Sequence, residues 1–520
     1  MFFGLDVFNE LLTKEFWKIL VISLTGIWSV LWYTKKWREC RSRFSKLAKC
    51  LPGPPTIPLV GNALSFAFCR QEKLLDRIVS VLAPYEAVSP IRIWMGPALY
   101  IVITAPRDIE IVLNSQHAAK KGMVYKFLYP FVGEGLISGS GSDFSWISHR
   151  KMFLTTMNQR ILREHVKIFD KRCRMLTRKL ENLADRRTID IHDYVEGCTI
   201  DLASETILGC DDVNALDNPD HEFARSTAEM YEIVYTRMFR LWMHPDCVFR
   251  LTSKYERQRC IVKVIHNFTE KCIAAKREES LNNSHDVERI SILEQILEAN
   301  DVTHALTDDE IRDEIYTVFL AAQDTLAIVS SFASLMFAMH PEIQEKARKE
   351  IREIWSEDEP VTLEHLNRMK YLECCVKETL RLFPIAPLLI RHLKSELALG
   401  TCTLPENCQV VIAAYVTHRS EKYWRSPEEF VPERFTSKET AERHSHVFIP
   451  FSGGPMSCIG QKYALLALKA ILAHVLQHYR MNTHVKMTDI QLKSDISIRS
   501  INGYKVSLEA LMSERRHDRC

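Results

Sequence analysis

The chain has 520 residues, and its 68 Lys and Arg against 66 Asp and Glu leave a formal net charge of only +2. A charge balance this close to zero argues against nucleic acid as a general partner. The 15 cysteines are scattered without a Cys-x-x-Cys pair, which indicates neither zinc nor a disulfide framework and fits a reducing compartment.

A membrane anchor is predicted for residues 1–34. Residues 19–33 are almost wholly apolar, and with the two aromatic residues before them they approach the roughly 20 residues that a spanning helix needs. A basic segment follows, so the positive-inside rule places the rest of the chain on the cytosolic side. A cleaved signal peptide would carry its positive charge before the apolar run. A buried globular helix is the remaining alternative.

Residues 35–55 combine this basic segment with a proline-rich hinge, Leu-Pro-Gly-Pro-Pro at 51–55. Proline blocks a helix, so the hinge should separate the anchor from the globular part, although a polyproline recognition site is an alternative. No later linker divides the chain, and we expect residues 56–520 to form one catalytic domain. Its first part, 88–104, predicts two short strands around Gly96 and Pro97.

The middle of the chain is predicted to be mostly helical. The aromatic segment 117–132, which contains Phe127, fits either a substrate-facing loop or a packed surface loop. Trp146 and Arg150 stand four residues apart, so on a helix they share one face and could both donate to an acid. An ordinary amphipathic helix gives the same pattern. From about 160 to 299 the pattern is helical, with a polar surface turn expected at 277–283.

A helix of about 32 residues is predicted from a capping box at Thr307 and Glu310 to Met339. In its middle, Asp324 and Thr325 place an acid beside an alcohol inside an apolar stretch, where an acid is costly. One interpretation is a local helix opening that delivers protons. The other is a threonine bonded to the preceding turn with the aspartate reaching solvent.

Cys458 lies in a turn rich in glycine and proline, just before a predicted helix at 463–476. A thiolate at a helix N-terminus is stabilised by the helix dipole and free N–H groups, and glycine lets a flat ligand approach the backbone. These features suit a haem-iron ligand, and a buried structural cysteine is the alternative.

These motifs resemble those of the cytochrome P-450 superfamily. Its signature Phe-x-x-Gly-x-Arg-x-Cys-x-Gly is matched at Phe451, Gly454, Cys458 and Gly460, and Met456 stands where the family has arginine.

Further motifs of the family follow in the same order. The helix pattern Ala/Gly-Gly-x-Asp/Glu-Thr is matched at Asp324 and Thr325, with Ala322 in place of glycine. The Glu-x-x-Arg pair and its partner arginine are matched by Glu378, Arg381 and Arg434.

The resemblance implies a mainly α-helical fold with a small β-rich subdomain around one haem b, with Cys458 as axial ligand. Phe451 and Gly460 would lie against the haem, and Trp146, Arg150 and Arg391 would bind its propionates. Asp324 and Thr325 would deliver protons, while Glu378, Arg381 and Arg434 would form a structural triad. The implied substrate pocket consists of Phe127, Val318, Ala321, Ala322, Leu388, Leu389 and Ile501.

The implied reaction is monooxygenation of a hydrophobic substrate that is lipid-like, a hormone or a xenobiotic. Electrons would come from NADPH through a reductase in the endoplasmic reticulum membrane, with cytochrome b5 as a further partner. Segments 133–137, 306–314 and 460–464 resemble the fatty-acid ω-hydroxylases and their insect relatives. Many of those have glutamate at the position of Ala321, where it can form an ester with haem, so the haem here should be non-covalent.

Two alternatives remain on the same fold. One is an isomerase or dehydratase that rearranges peroxides without a reductase. The presence of Asp324 and Thr325 argues against this alternative. The other is a catalytically weak haem-binding protein, which Met456 and Ala322 keep open.

Overall fold

The computed structural model describes residues 25, 28, 43–58, 60–67, 69–85, 88–185, 187–218, 222–282 and 290–511. Nearly all of the predicted anchor at 1–34, with residues 35–42 of the basic segment, therefore lies outside the described residues. Within the described part, Asp308–Met339 is the helix long and apolar enough to cross a membrane. Because 83% of its apolar window is buried inside the protein, it has the environment of a core helix.

Helices dominate the fold. They are α1 Leu64–Ala67, α2 Leu74–Leu82, α3 Pro106–Asn114, α4 Tyr129–Val132, α5 Phe144–Thr156, α6 Gln159–Glu181, α7 Ile191–Ala203, α8 Glu222–Phe239, α9 Asp246–Phe249, α10 Ser253–Asn282, α11 Ile292–Thr303, α12 Asp308–Met339, α13 Pro341–Ile354, α14 Leu363–Arg368, α15 Lys370–Leu382, α16 Ala414–Thr417, α17 Ser437–Ala441 and α18 Gln461–His478.

The strands of the described residues are short and form four small sheets. They are β1 Ile91–Met95, β2 Ala98–Ile103, β3 Lys120–Lys121, β4 Ile189–Asp190, β5 Leu389–His392, β6 Leu397–Ala398, β7 Thr403–Leu404, β8 Gln409–Ile412, β9 Tyr479–Asn482, β10 Leu492–Ser494, β11 Ile498–Ser500 and β12 Lys505–Ala510. The largest sheet has the order β1-β2-β8-β5-β3, and in it only β2 and β8 run parallel. A mainly α fold with a small β-rich side is thus confirmed.

Helix α12 runs through the core, and the sequence predicted both of its ends correctly. The Thr307 side chain accepts from the Glu310 N–H, and the Glu310 carboxylate accepts from the Thr307 N–H, which is the predicted capping box. The helix packs against α7, α15 and α18. Two large apolar clusters flank it, and Ala322 contacts both, so the helix midpoint lies where the two clusters meet.

Two local predictions need correction. The expected surface turn at 277–283 is wrong, because α10 continues as a helix to Asn282. Charged side chains in this part of the helix form ion pairs. Lys276 pairs with Glu279 of the same helix at 2.7 Å, and Arg277 pairs with Asp308 of α12. The loop at 117–132 is more ordered than expected, because it contains β3, a 3-10 helix at Met123–Leu128 and α4.

Candidate active site

Cys458 ends a tight loop that leads directly into α18. The loop turns through the 3-10 helix Gly454–Met456. Gly454 has a positive φ of 66°, and a Cβ there would collide with the Leu113 carbonyl oxygen, so the turn requires glycine. The Cys458 N–H donates to the Phe451 carbonyl at 2.9 Å, which ties the two ends of the loop together.

The Cys458 side chain is solvent-accessible in this structure, but protein atoms surround it closely enough to desolvate the thiol. Desolvation raises the pKa of the thiol, while the Gly460 N–H and the charges of Arg150 and Lys121 lower it without cancelling the effect. A coordinated metal ion deprotonates a thiol outright. The site therefore offers one sulfur ligand, and its neighbours only partly offset the cost of burying the anionic form.

Cationic side chains converge near this sulfur. Lys121 and Arg391 lie directly opposite each other in the antiparallel pair of β3 and β5, an arrangement that destabilises a sheet when the charges are alike. Burial, followed by the charges of Arg391 and Arg150, holds the pKa of Lys121 well below its usual range. Arg150 Nη2 donates to the Ser457 carbonyl at 2.8 Å, beside Cys458.

This cluster of Lys121, Arg150 and Arg391 requires an anion. Arg391 is 2% exposed, and its Nη1 has no hydrogen-bond partner in the described part of the chain. No carboxylate is among the groups that shift the pKa of Lys121 or of Arg391. Leaving a buried charged donor unpaired is expensive. Two propionates beside a thiolate-ligated iron would supply the missing charge, so the residues present fit a haem.

Lys121 is a site residue that sequence reasoning missed. It follows Lys120, which is exposed, and a pair of lysines before an aromatic segment has the pattern of ordinary surface charge. The register that places Lys121 opposite Arg391 depends on a two-residue strand. A strand that short has no alternation to read, so only the fold shows the pairing.

Trp146 and Arg150 share a helix face as predicted, but the indole has another partner. Its N–H donates to the Leu136 carbonyl at 3.2 Å, and the Arg150 guanidinium lies 5.4 Å from the ring centroid. The Trp146 ring thus packs against the guanidinium of Arg150 and helps to hold it in place. A direct bond from Trp146 to a propionate stays a prediction.

The segment 133–137 is fastened to α12 by Glu314, a second residue that the sequence did not single out. Its buried carboxylate accepts the Leu136 N–H at 3.0 Å and lies 2.9 Å from Nδ1 of His149. A Cβ on Gly135 would come within 2.6 Å of this carboxylate, so the glycine allows the close approach. The carboxylate joins α5, α12 and the loop between α4 and α5.

The predicted helix opening in α12 is absent from this structure. Residues 321–325 are regular α-helix, and the Thr325 hydroxyl donates to the Ala321 carbonyl at 2.7 Å, as in the alternative interpretation. Ala321 is exposed, and Ala322 and Thr325 are partly exposed, although the helix around them is buried. These small side chains therefore border open space.

Asp324, by contrast, is 3% exposed and does not reach solvent. Ser497 donates to its Oδ2 at 2.8 Å, and Arg499 pairs with its Oδ1. Both partners come from the β10–β11 region near the C-terminus. The acid predicted for proton delivery is therefore an ion-paired carboxylate here, and Arg499 is a third residue that sequence reasoning missed.

Glu378, Arg381 and Arg434 are brought together as predicted. Arg381 donates to both Glu378 oxygens at 2.8 Å, and Arg434 Nε lies 3.3 Å from Glu378 Oε1. Arg381 also donates to the backbone carbonyls of His418 and Glu429. The side chains of Glu378 and Arg381 are fully buried, so their charges would be costly without these hydrogen bonds.

The predicted pocket residues do not all lie together. Phe127, Val318 and Ala322 belong to one apolar cluster, which Ile390 also contacts. Leu388 and Ile390 pack in a second cluster, whereas Leu389 packs in a third, because successive residues of a strand point to opposite faces.

The remaining predicted positions lie at the edges of the site. Ile501, just after β11, is 37% exposed. Phe451 is partly buried against the main core. Ile390, rather than Leu389, packs against the cluster that contains Phe127 and Val318.

Comparison with known proteins agrees with this geometry. Residues 51–508 match the family model described as cytochrome P450. The chain is 30% identical to cytochrome P450 4c3 of Drosophila melanogaster, over 92% of this chain and 93% of that protein.

Two further relatives show similar coverage. Cytochrome P450 4d2 of Drosophila melanogaster is 32% identical over 88% of this chain and 93% of that protein. Cytochrome P450 4V2 of Homo sapiens is 29% identical over 96% of this chain and 95% of that protein. With Cys458 in its loop and its cationic neighbours in place, the chain belongs to the cytochrome P450 family of haem-thiolate monooxygenases.

Proposed function

We propose that this enzyme hydroxylates a small hydrophobic substrate that is lipid-like, a hormone or a xenobiotic, with electrons from NADPH through a reductase. The observation that carries the proposal is the surface around Ala321. There α12 presents small apolar side chains to open space, and the cluster of Phe127, Val318 and Ile390 lies alongside. Pockets of this composition bind apolar ligands.

The haem, when bound, supplies the activation of dioxygen, and the protein's residues hold and surround it. Cys458 would bind the haem iron through its sulfur. Lys121, Arg150 and Arg391 would neutralise the propionates. Ala321 has no nucleophile, so the haem is non-covalent.

Thr325 is the residue placed to handle protons at the open face of α12. Its hydroxyl donates to the Ala321 carbonyl at 2.7 Å, and its oxygen keeps lone pairs that can accept from a water or substrate group. The Asp324 carboxylate accepts from Ser497 on one oxygen and pairs with Arg499 on the other, so we assign it no direct contact with substrate. A role for Asp324 in moving protons requires the Arg499 pair to open.

We also propose the partners and the location of the enzyme. We place the enzyme in the endoplasmic reticulum membrane, held by residues 1–34, with residues 35–55 as basic segment and hinge and 56–520 as the cytosolic catalytic domain. The reductase would dock on the side of the Cys458 loop, with cytochrome b5 as a second electron donor.

The experiment is turnover of haem-loaded enzyme, with and without NADPH and reductase, on a panel of fatty acids, lipid hydroperoxides, hormones and xenobiotics. Hydroxylated product that requires both NADPH and reductase supports the proposal. Conversion of lipid hydroperoxides without reductase would instead identify an isomerase or dehydratase, and no conversion of any class would identify a weak haem-binding protein.

Thr325→Ala tests the assignment within that reaction. The variant should keep haem and should release more hydrogen peroxide per NADPH consumed, because the hydroxyl that positions protons is lost. Unchanged coupling of NADPH to product would make Thr325 a structural residue only.

A further inference from the structure

Two histidines and a carboxylate meet on the surface next to the loop that carries Cys458. Glu110 lies on α3, and His444 and His446 lie at the 3-10 helix Ser445–Val447 that packs against α3. Their ligand atoms all lie within 4.8 Å of one another. None of the three takes part in the site described above.

The distances suit a tetrahedral metal ion. Bonds of about 2.0–2.1 Å to nitrogen and oxygen place the ligand atoms of zinc roughly 3.4 Å apart. Nε2 of His444 and Oε2 of Glu110 are already 3.5 Å apart. The third ligand atom, from His446, lies within 4.8 Å of the other two, and an adjustment of its partly exposed side chain can bring it closer.

The hydrogen bonding of His446 also suits a metal. Its Nδ1 lies 2.9 Å from the Ser445 hydroxyl, which leaves Nε2 for the metal. A second hydrogen-bonded ring nitrogen is the usual support of a ligating histidine.

His444 must change its tautomer to bind a metal through Nε2. Its Nδ1 accepts the His446 N–H at 3.2 Å, so the neutral ring carries its proton on Nε2, which faces Glu110. Metal binding at Nε2 moves that proton to Nδ1 and gives up this one bond, in an exposed position where water replaces it. In the described part of the chain, Glu110 has no lysine or arginine partner that would compete with the metal.

We propose that Glu110, His444 and His446 bind one Zn²⁺ ion, with water as the fourth ligand. Two histidines and one glutamate are a ligand set that zinc takes in proteins. The ion would fasten α3 to the Cys458 loop from outside, because His446 Nε2 lies 3.4 Å from the position of a Cβ on Gly453, and Gly454 abuts the Leu113 carbonyl of α3.

Zinc binding to tag-free, haem-loaded protein tests this site. Equilibrium dialysis with metal analysis compares the wild type with Glu110→Gln, His444→Gln and His446→Gln. His484→Gln is the matched control, because His484 is an exposed histidine outside the cluster. We expect at least a tenfold loss of affinity in each of the three variants and none in the control.

Two further readouts separate this site from the exposed cysteines. Zinc-edge X-ray absorption should show nitrogen and oxygen neighbours at about 2.0–2.1 Å and no sulfur at about 2.3 Å. Saturating Zn²⁺ should raise the unfolding temperature of the wild type and of His484→Gln but not of His446→Gln. Wild-type zinc affinity in the three variants, or a sulfur shell, would overturn the proposal. Each variant's haem spectrum verifies that it has folded.

Discussion

The Asp324 carboxylate is held on both oxygens, by an ion pair with Arg499 and a 2.8 Å hydrogen bond from Ser497. The Arg499 side chain is 15% exposed and that of Asp324 3%, so the pair is largely desolvated. Through it, β11 and the turn that carries Ile501 are tied to the middle of α12. Asp324 therefore also holds β11 and the turn that carries Ile501 in position beside α12.

Breaking this pair should be costly. In Arg499→Gln the Asp324 carboxylate stays buried without its counter-charge, and we expect the free energy of unfolding to fall by about 3–5 kcal/mol. Arg480→Gln is the matched control, since Arg480 forms an exposed pair with Glu509 at 3.6 Å and should change stability very little. Urea unfolding of the haem-loaded proteins measures both. Equal stability of the two variants would show that the Asp324–Arg499 pair contributes nothing.

Lys121 should hold haem. In Lys121→Gln one cation of the cluster is lost, and because a charge-assisted hydrogen bond contributes about 1.5–3 kcal/mol, haem should transfer to an acceptor protein roughly 10–100 times faster. Lys120→Gln is the control, as Lys120 is the exposed neighbour on the same strand. If both variants lose haem at the wild-type rate, Lys121 does not contact a propionate.

Met456 stands where the family has arginine, and it is 9% exposed. A Cβ on Gly141 would lie 2.7 Å from its sulfur, so the side chain is closely packed. Met456→Arg is expected to slow haem loss, because it adds a cation near the propionates. The same transfer assay measures it. A rate that does not change would mean that Lys121, Arg150 and Arg391 already satisfy both propionates.

His418 should make stability depend on pH. Burial, followed by the charges of Arg381 and Arg419, lowers its pKa to about 3. Its Nε2 accepts the Ile449 N–H at 3.0 Å, so the folded ring is neutral. Below the unfolded pKa of about 6.5 the unfolded chain binds a proton that the folded chain does not, so this contribution to stability is lost as the pH falls from 6.5 toward 3.

The test is the unfolding free energy between pH 7 and pH 5 for the wild type and His418→Asn, which keeps an acceptor but does not titrate. Near pH 5 the wild type should lose up to about 1.4 kcal/mol per pH unit more than the variant. Parallel pH profiles would mean that His418 does not titrate differently on folding.

The sequence predicted those parts of the fold that local chemistry determines. The capping box at Thr307 and the proline after the helix set α12 to within a residue. The glycines around Cys458 indicated the loop, and at Gly454 the positive φ requires glycine. The Glu378–Arg381 pair could be proposed from its i and i+3 spacing.

What the sequence did not predict depends on long-range pairing. Lys121 meets Arg391 across a sheet, and Asp324 meets Arg499 across 175 positions of the chain. Neither lysine nor arginine stands in a local pattern that names its partner. The resemblance implied that Leu388 and Leu389 both line the pocket, but their side chains pack in different clusters because successive residues of a strand point to opposite faces.

The central claim is that Cys458 is the protein ligand of haem iron, and the spectrum of the reduced, carbon monoxide-bound protein tests it most directly. The wild type and Cys260→Ser, which alters another exposed cysteine, should show the red-shifted band of thiolate ligation. Cys458→Ser should lack that band. A normal band in Cys458→Ser would contradict the account.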